Sequence, residues 1–183
     1  YVDQFAPLPA FITAWKIPPR RTPEFDALSL AGKLLFDGDS SRLYQKLVKG
    51  EESVVQLFGN LDERRGPSAM WIGAIPKPGE DLDQIRQSIA DEIKELATIG
   101  VTEEEMGKLR NQLFNDEVRG RQSTMFRAQR LAEFALYDGD PNLFNTEFEQ
   151  LMRVTPEDIK NAVAKFLDTD NRSNIDIVPA NVG

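Results

Sequence analysis

The chain contains no cysteine and no histidine. Without thiols there can be no disulfide, no thiolate zinc site and no cysteine nucleophile. Without imidazole there is no Ser-His-Asp triad, and the other usual zinc ligand is gone as well. Thirty carboxylates remain, but catalytic zinc held by carboxylates alone lies outside the ordinary ligand sets. Long apolar runs are missing too, with nothing near the ~18 residues that span a bilayer. Positive charge is scarce: 22 Lys and Arg stand against 30 Asp and Glu, a net charge of −8. That is the wrong sign for unspecific nucleic-acid binding, which displaces counterions from phosphates. No repeats or low-complexity tracts occur. The chain opens on Tyr1 rather than Met and carries no signal-peptide pattern, so a piece trimmed from a longer protein is expected. Its compartment stays open, bacterial periplasm and cytoplasm alike.

What is present is ordinary globular material, 40% hydrophobic and 28% charged over 183 residues, suited to one folded domain across 1–183. Residues 1–7 read as a loose leading segment. From Leu8 to Ile17, alternation predicts a strand with Phe11, Thr13, Trp15 and Ile17 on one face and Ala10, Ile12 and Ala14 on the other. Pro18-Pro19 stops it. Thr22-Pro23-Glu24 then starts a helix whose stripe is Leu28, Ala31, Leu34 and Leu35, ended by Gly38. Ser40 or Ser41 caps a short helix bearing Leu43, Tyr44 and Leu47, which runs to Gly50. Two strands follow, Val54–Leu61 and Ala69–Ile75, joined by the polar turn Asp62–Pro67. Both are apolar on both faces, so helices are expected on one side and a partner domain on the other.

Beyond the break at Pro76–Gly79, Leu82, Ile85, Ile89, Ile93 and Leu96 mark an amphipathic helix closed by Gly100. Thr102 and Glu105 form a capping box for the next, which carries Met106, Leu109 and Leu113. Gly120 and Ser123-Thr124 predict a kink or break before a helical run through Phe126, Leu131 and Phe134. Asp138–Pro141 ends that run, and a short helix spans Leu143–Met152. Thr155-Pro156 opens a last helix with Ile159, Val163, Phe166 and Leu167, and Arg172–Pro179 is a closing strand. The class is α+β: one mainly antiparallel sheet with helices on one face.

The ordered landmarks Ser40-Ser41-Arg42-Leu43-Tyr44-Gln45, Pro78-Gly79, Gly100–Met106, Tyr137–Pro141 and Val154–Ile159 resemble the C-terminal domain of insulinase/pitrilysin-type zinc peptidases (inverzincins), over about residues 8–180. The resemblance implies a metallopeptidase half-domain of LuxS/processing-peptidase-like fold. It implies a two-domain clamshell in which the N-terminal domain carries an inverted His-x-x-Glu-His zinc motif. The C-terminal domain closes over it, without a metal site, to enclose a peptide substrate. Lacking histidine, this chain cannot be the zinc half, so zinc is expected in a zinc-bearing N-terminal domain or a separate homologous subunit. The alternative is a proteolytically inactive scaffold in a larger assembly.

The family's C-terminal domain often supplies an Arg and, seven residues later, a Tyr facing substrate. With Leu47 laid on the Leu preceding that Arg, Val48 and Val55 take those places, and neither polar group is present. Val48, Ser53, Val54 and Val55 remain candidates for the substrate-chamber wall, with core packing as the plain alternative for Val48 and Val55. No residue is assigned to catalysis or metal. Asp138, Asp140, Asn142 and Glu149 imitate a calcium loop, but Pro141 intrudes and Leu143 replaces the required glycine. Arg119, Arg121, Arg127 and Arg130 form a basic stretch that is either a seat for an acidic partner or a set of local ion pairs. A tryptophan, Trp15 or Trp71, exposed on the helix-free face would meet the zinc-bearing domain.

Overall fold

A computed structural model describes residues 1–180. Five strands form one sheet in the order β1-β5-β2-β4-β3: β1 Val2–Asp3, β2 Ala10–Ile17, β3 Val54–Asp62, β4 Ser68–Pro76 and β5 Arg172–Pro179. Only β1 and β5 pair in parallel; the other ladders are antiparallel. Among the described residues six α-helices accompany them: α1 Pro23–Phe36, α2 Leu82–Thr98, α3 Glu103–Gln122, α4 Thr124–Glu133, α5 Leu143–Arg153 and α6 Pro156–Phe166. The expected α+β class is the observed one.

The alternation in β2 has the consequence expected of a period of two. Phe11, Thr13, Trp15 and Ile17 are buried, facing the helices, and lie in register with Ala74, Ile72, Met70 and Ser68 of β4. Leu28, Leu30, Ala31 and Leu35 of α1, and Ile159 and Val163 of α6, close the core over that face. Each fully buried leucine contributes roughly 2–3 kcal/mol of transfer free energy. The caps fall where the sequence places them. Thr22 accepts from the Phe25 amide at 3.2 Å, and Thr102 with Glu105 and Thr155 with Asp158 make complete capping boxes.

Three details differ from the sequence reading. The leading segment is tied down: the Tyr1 ammonium donates to the Asp176 carbonyl at 2.8 Å, and the Tyr1 and Asp3 carbonyls accept from Val178 and Ala180 at 2.9 Å. Two residues are too few for a periodicity to show. The turn after Ser41-Arg42 is a π-helix, Tyr44–Gly50, in which the Glu51 amide reaches the Lys46 carbonyl five residues back at 2.7 Å. In α4, Leu131 stands in solvent and no residue is buried; Phe134, in the π-helical turn that follows, alone reaches the interior. The break at Ser123 is complete: this one residue ends α3, and its hydroxyl accepts from the Phe126 amide to start α4.

Candidate functional site

Four observations bear on function: the corner that opens β3, the uncovered sheet face, two ion networks, and a cleft among α1, α5 and α6.

At the corner, the π-helical turn leads into Glu52, held at φ 51, and then into β3 at the sheet's edge. Ser53 is buried; its amide donates to the Leu47 carbonyl at 3.0 Å and its carbonyl accepts from Lys77 at 2.9 Å. Val54 is buried opposite Pro76, and Val48 is half-buried against the core. Val55 is the extra residue of a β-bulge, because Val54 pairs with Pro76 while Gln56 pairs with Ile75. A bulge re-aims the side chain it inserts, and Val55 is accordingly 55% exposed. Of the four candidates, Val55 alone offers most of its surface to a neighbour; Ser53 and Val54 are the floor beneath it.

On the helix-free face, Phe58 lies across Gly73, where a Cβ would sit 2.3 Å from its ring, and meets Trp71 edge-on with centroids 6.0 Å apart. Register places Ile12 and Ile175 opposite each other on this same face, with Ala10 opposite Ile177 and Ile75 completing the surface. Ile175 is exposed and Ile12, Phe58, Trp71, Ile75 and Ile177 are half-buried. No helix among the described residues covers this side. Trp15 is the other case: it is buried on the helical face, and its indole N–H donates to the Asp168 carbonyl at 3.1 Å.

Arg42, from the Ser-Ser-Arg-Leu motif, ties three elements together. It donates bidentately to Glu105 of α3 at 2.7 and 2.9 Å and to the Gly100 carbonyl at 3.1 Å, and Glu92 of α2 lies 3.5 Å away. Burial alone would raise the Glu105 carboxyl. The hydrogen bonds from Arg42 and from the Thr102 amide and hydroxyl outweigh it and hold the group at about 2.

A second network joins the β2–α1 turn to α4, α5 and the β3–β4 turn. Arg20, its side chain only 7% exposed, meets Glu133 and Asp138 at 2.6 Å each and Glu63 at 3.3 Å. Arg21 pairs with Glu147 and, at 3.4 Å, with Asp138; Arg130 pairs with Glu147 and, at 2.8 Å, with Glu133. Both Arg21 and Arg130 stack on the Phe134 ring, 4.6 and 4.5 Å from its centroid. The basic stretch thus divides. Arg130 is absorbed here, and Arg121 pairs with Glu117 and stacks on Phe144 at 4.3 Å. Arg119 and Arg127 have no acidic partner among the described residues. The links from Arg20 and Arg21 to Glu133, Asp138 and Glu147 were not legible beforehand, since those partners lie over 100 residues away in the chain, whereas Arg121–Glu117 and Arg130–Glu133 are local pairs of the kind the sequence allowed. The calcium-like stretch is a helix-ending turn: Asp138 serves Arg20 and Arg21, Gly139 takes φ 74, and Asp140 accepts from the Asn142 amide.

The cleft, about 1180 Å³, sets Arg20, Arg21, Arg65, Arg153 and Lys165 against Glu24, Asp26, Asp138, Asp140 and Asp158. Five cations offset five acids, so its lining has no net charge with which to select a ligand. Asp26 has no side-chain hydrogen bond among the described residues, and burial pushes it up to about 6 against the pull of Arg21. Among the described residues no group of three or more His, Cys, Asp or Glu is placed to hold a metal. With neither imidazole nor thiolate in the sequence, the donor set does not fit catalytic zinc.

Residues 2–113 match the family described as the peptidase M16 inactive domain. The chain belongs to that family. Uncharacterised zinc proteases of Mycobacterium tuberculosis and Mycobacterium bovis are 30% identical over 141 residues, covering 77% of this chain and 32% of theirs. A protease from Helicobacter pylori has the same fold over 98% of this M16 domain, with a TM-score of 0.91 at 18% identity, but over only 43% of its own chain. An inactive peptidase domain from Bordetella parapertussis matches nearly end to end, covering 96% of this chain and 93% of that one, with a TM-score of 0.83 and 24% identity. The M16 domain thus corresponds to about a third of the curated relatives it matches. No helix among the described residues is long and apolar enough to cross a membrane.

Proposed function

We propose that residues 1–183 act as one unit, the C-terminal non-zinc half of a two-domain zinc metallopeptidase. This half closes over a zinc-bearing domain, on the same polypeptide or a separate subunit, and helps to enclose a peptide substrate. The observation that carries this reading is the uncovered sheet face. Ile12, Phe58, Trp71, Ile75, Ile175 and Ile177 give the sheet a second apolar side that no element among the described residues covers, and such surfaces mark interaction sites. Val55, turned outward by its bulge at the adjoining edge, extends that wall, with Val48, Ser53 and Val54 bracing it from below. The Arg and Tyr that family members often direct at substrate are replaced by Val48 and Val55, so the contribution here is shape and apolar contact. The zinc chemistry, a metal-bound water of lowered pKa attacking a polarised carbonyl, belongs to the partner.

The test is reconstitution. With zinc supplied, the 183-residue chain should leave a flexible fluorogenic peptide uncut, and adding the zinc-bearing half should raise its turnover. Trp71→Glu should cut that gain at least tenfold. Metal-dependent cleavage by this chain above a heat-killed control, or no gain at a saturating concentration of it, would refute the reading.

A further inference from the structure

Helix α4 is amphipathic in the opposite sense to a surface helix. Its charged side points inward: Arg130 and Glu133 enter the network with Arg20 and Glu147, each with about three-quarters or more of its side chain covered. Its apolar side points outward. Met125, Ala128, Leu131 and Ala132 are all exposed, and at ~100° per residue they fall within an arc of about 120° that holds no charge. Leu136, 72% exposed in the following π-helical turn, continues the stripe. Rotating the helix to bury this stripe would strip Arg20 of Glu133 and Phe134 of Arg130, leaving a buried guanidinium short of a partner. The outward face is therefore fixed by the inward one, and no element among the described residues covers it.

We propose that this stripe is the seat for a helix of the zinc-bearing half, with an acidic side chain set opposite Arg127. This rests on the two-domain reading above. Alanines at two of the four positions let another helix approach to the 8–10 Å of close packing, with Met125 and Leu131 at its margins. Arg127 borders the stripe and has no acidic partner among the described residues; its guanidinium donates only to the Thr124 hydroxyl, at 3.3 Å. The occupant is taken to be the other half because the same fold in the Helicobacter pylori protease is 43% of a longer chain. An uncharged apolar stripe, bordered by a free cation, fits a folded neighbour held in one register.

The test is hydrogen exchange of the amides at 124–136, measured in the 183-residue chain alone and joined by the zinc-bearing half. Exchange should slow at least tenfold on joining. Ala132→Glu should abolish the slowing, as should the charge reversal Arg127→Glu, while the urea midpoint of the chain alone stays unchanged because both positions are exposed. Unchanged exchange in α4 with slowed exchange in β2 and β4 would overturn this seat and leave the two-domain reading standing. No slowing anywhere would remove both. Slowing in the chain alone as a dimer forms in sedimentation, or on adding peptide substrate, would assign the stripe to another occupant and overturn the proposal.

Discussion

Asp26 carries an avoidable cost, and Asp26→Asn should make the chain more stable at neutral pH. The carboxylate is half-buried beside the cleft with no hydrogen-bond donor among the described residues, and burial lifts it from 3.8 to about 6. A carboxyl with a raised folded value holds its proton more tightly folded than unfolded. Below ~3.8 both states carry the proton and nothing is lost; stability then falls as pH climbs to about 6 and stays reduced above it. The interval from 3.8 to about 6, at ~1.4 kcal/mol per pH unit, amounts to about 3 kcal/mol. Solvent screening of a partly open group reduces this to about 1–2 kcal/mol. The variant also gives up a carboxylate in the first turn of α1, where the helix dipole is worth about 0.5 kcal/mol. The net expectation is a gain of about 1 kcal/mol at pH 7.5 that vanishes by pH 4, read from urea midpoints. A loss of stability at pH 7.5, or a gain equally large at pH 4, would show that Asp26 has a favourable partner and that the cleft is not what raises it.

Three further outcomes follow from the packing. Arg42→Lys replaces a fork with a point charge, leaves Glu105 and Glu92 short of donors, and should cost about 2 kcal/mol at pH 7 by denaturant melts. Because Glu105 is depressed, the wild-type advantage is full above its ordinary 4.5 and should fade as pH falls toward about 2. Gly73→Ala would put a methyl group into Phe58 and within 3.0 Å of the Phe11 carbonyl, costing about 1–3 kcal/mol, with Gly73→Ala/Phe58→Leu recovering part of it. Phe134→Ala should cost about 3–4 kcal/mol and speed exchange across α4 and α5, whose helices bury no residue of their own.

How much of this was legible in the sequence depended on whether the signal was local. Caps such as Thr22-Pro23 and Thr102–Glu105, and stripes such as Ile85–Ile89–Ile93, act within a turn or two and placed their helices to within a residue or so. The two-faced apolarity of the 69–75 segment anticipated a sheet with a second side to cover. The π-helical geometry after Arg42 and the bulge at Val55 were not legible, because both depend on how the chain closes against Leu47 and Ile75. Periodicity also reports that a helix has two unlike faces, not which one turns inward. The run through Phe126, Leu131 and Phe134 marks a helix without saying which side is inward, and it is Arg20, Glu63 and Glu147 that supply an ionic interior for it. Val55 was marked by resemblance alone, and only the bulge explains why it stands out while Val54 does not.

The single residue between α3 and α4 makes the phase of the two helices a matter of counting. One residue inserted beside Ser123 would turn α4 by ~100°, carrying its alanines toward Arg20, and Arg130 and Glu133 toward water, while each helix taken separately stayed intact. Length at this joint is as informative as residue type: homologues that share the arrangement should vary in side chains along α4 yet keep the spacing from Leu113 to Phe134 unchanged.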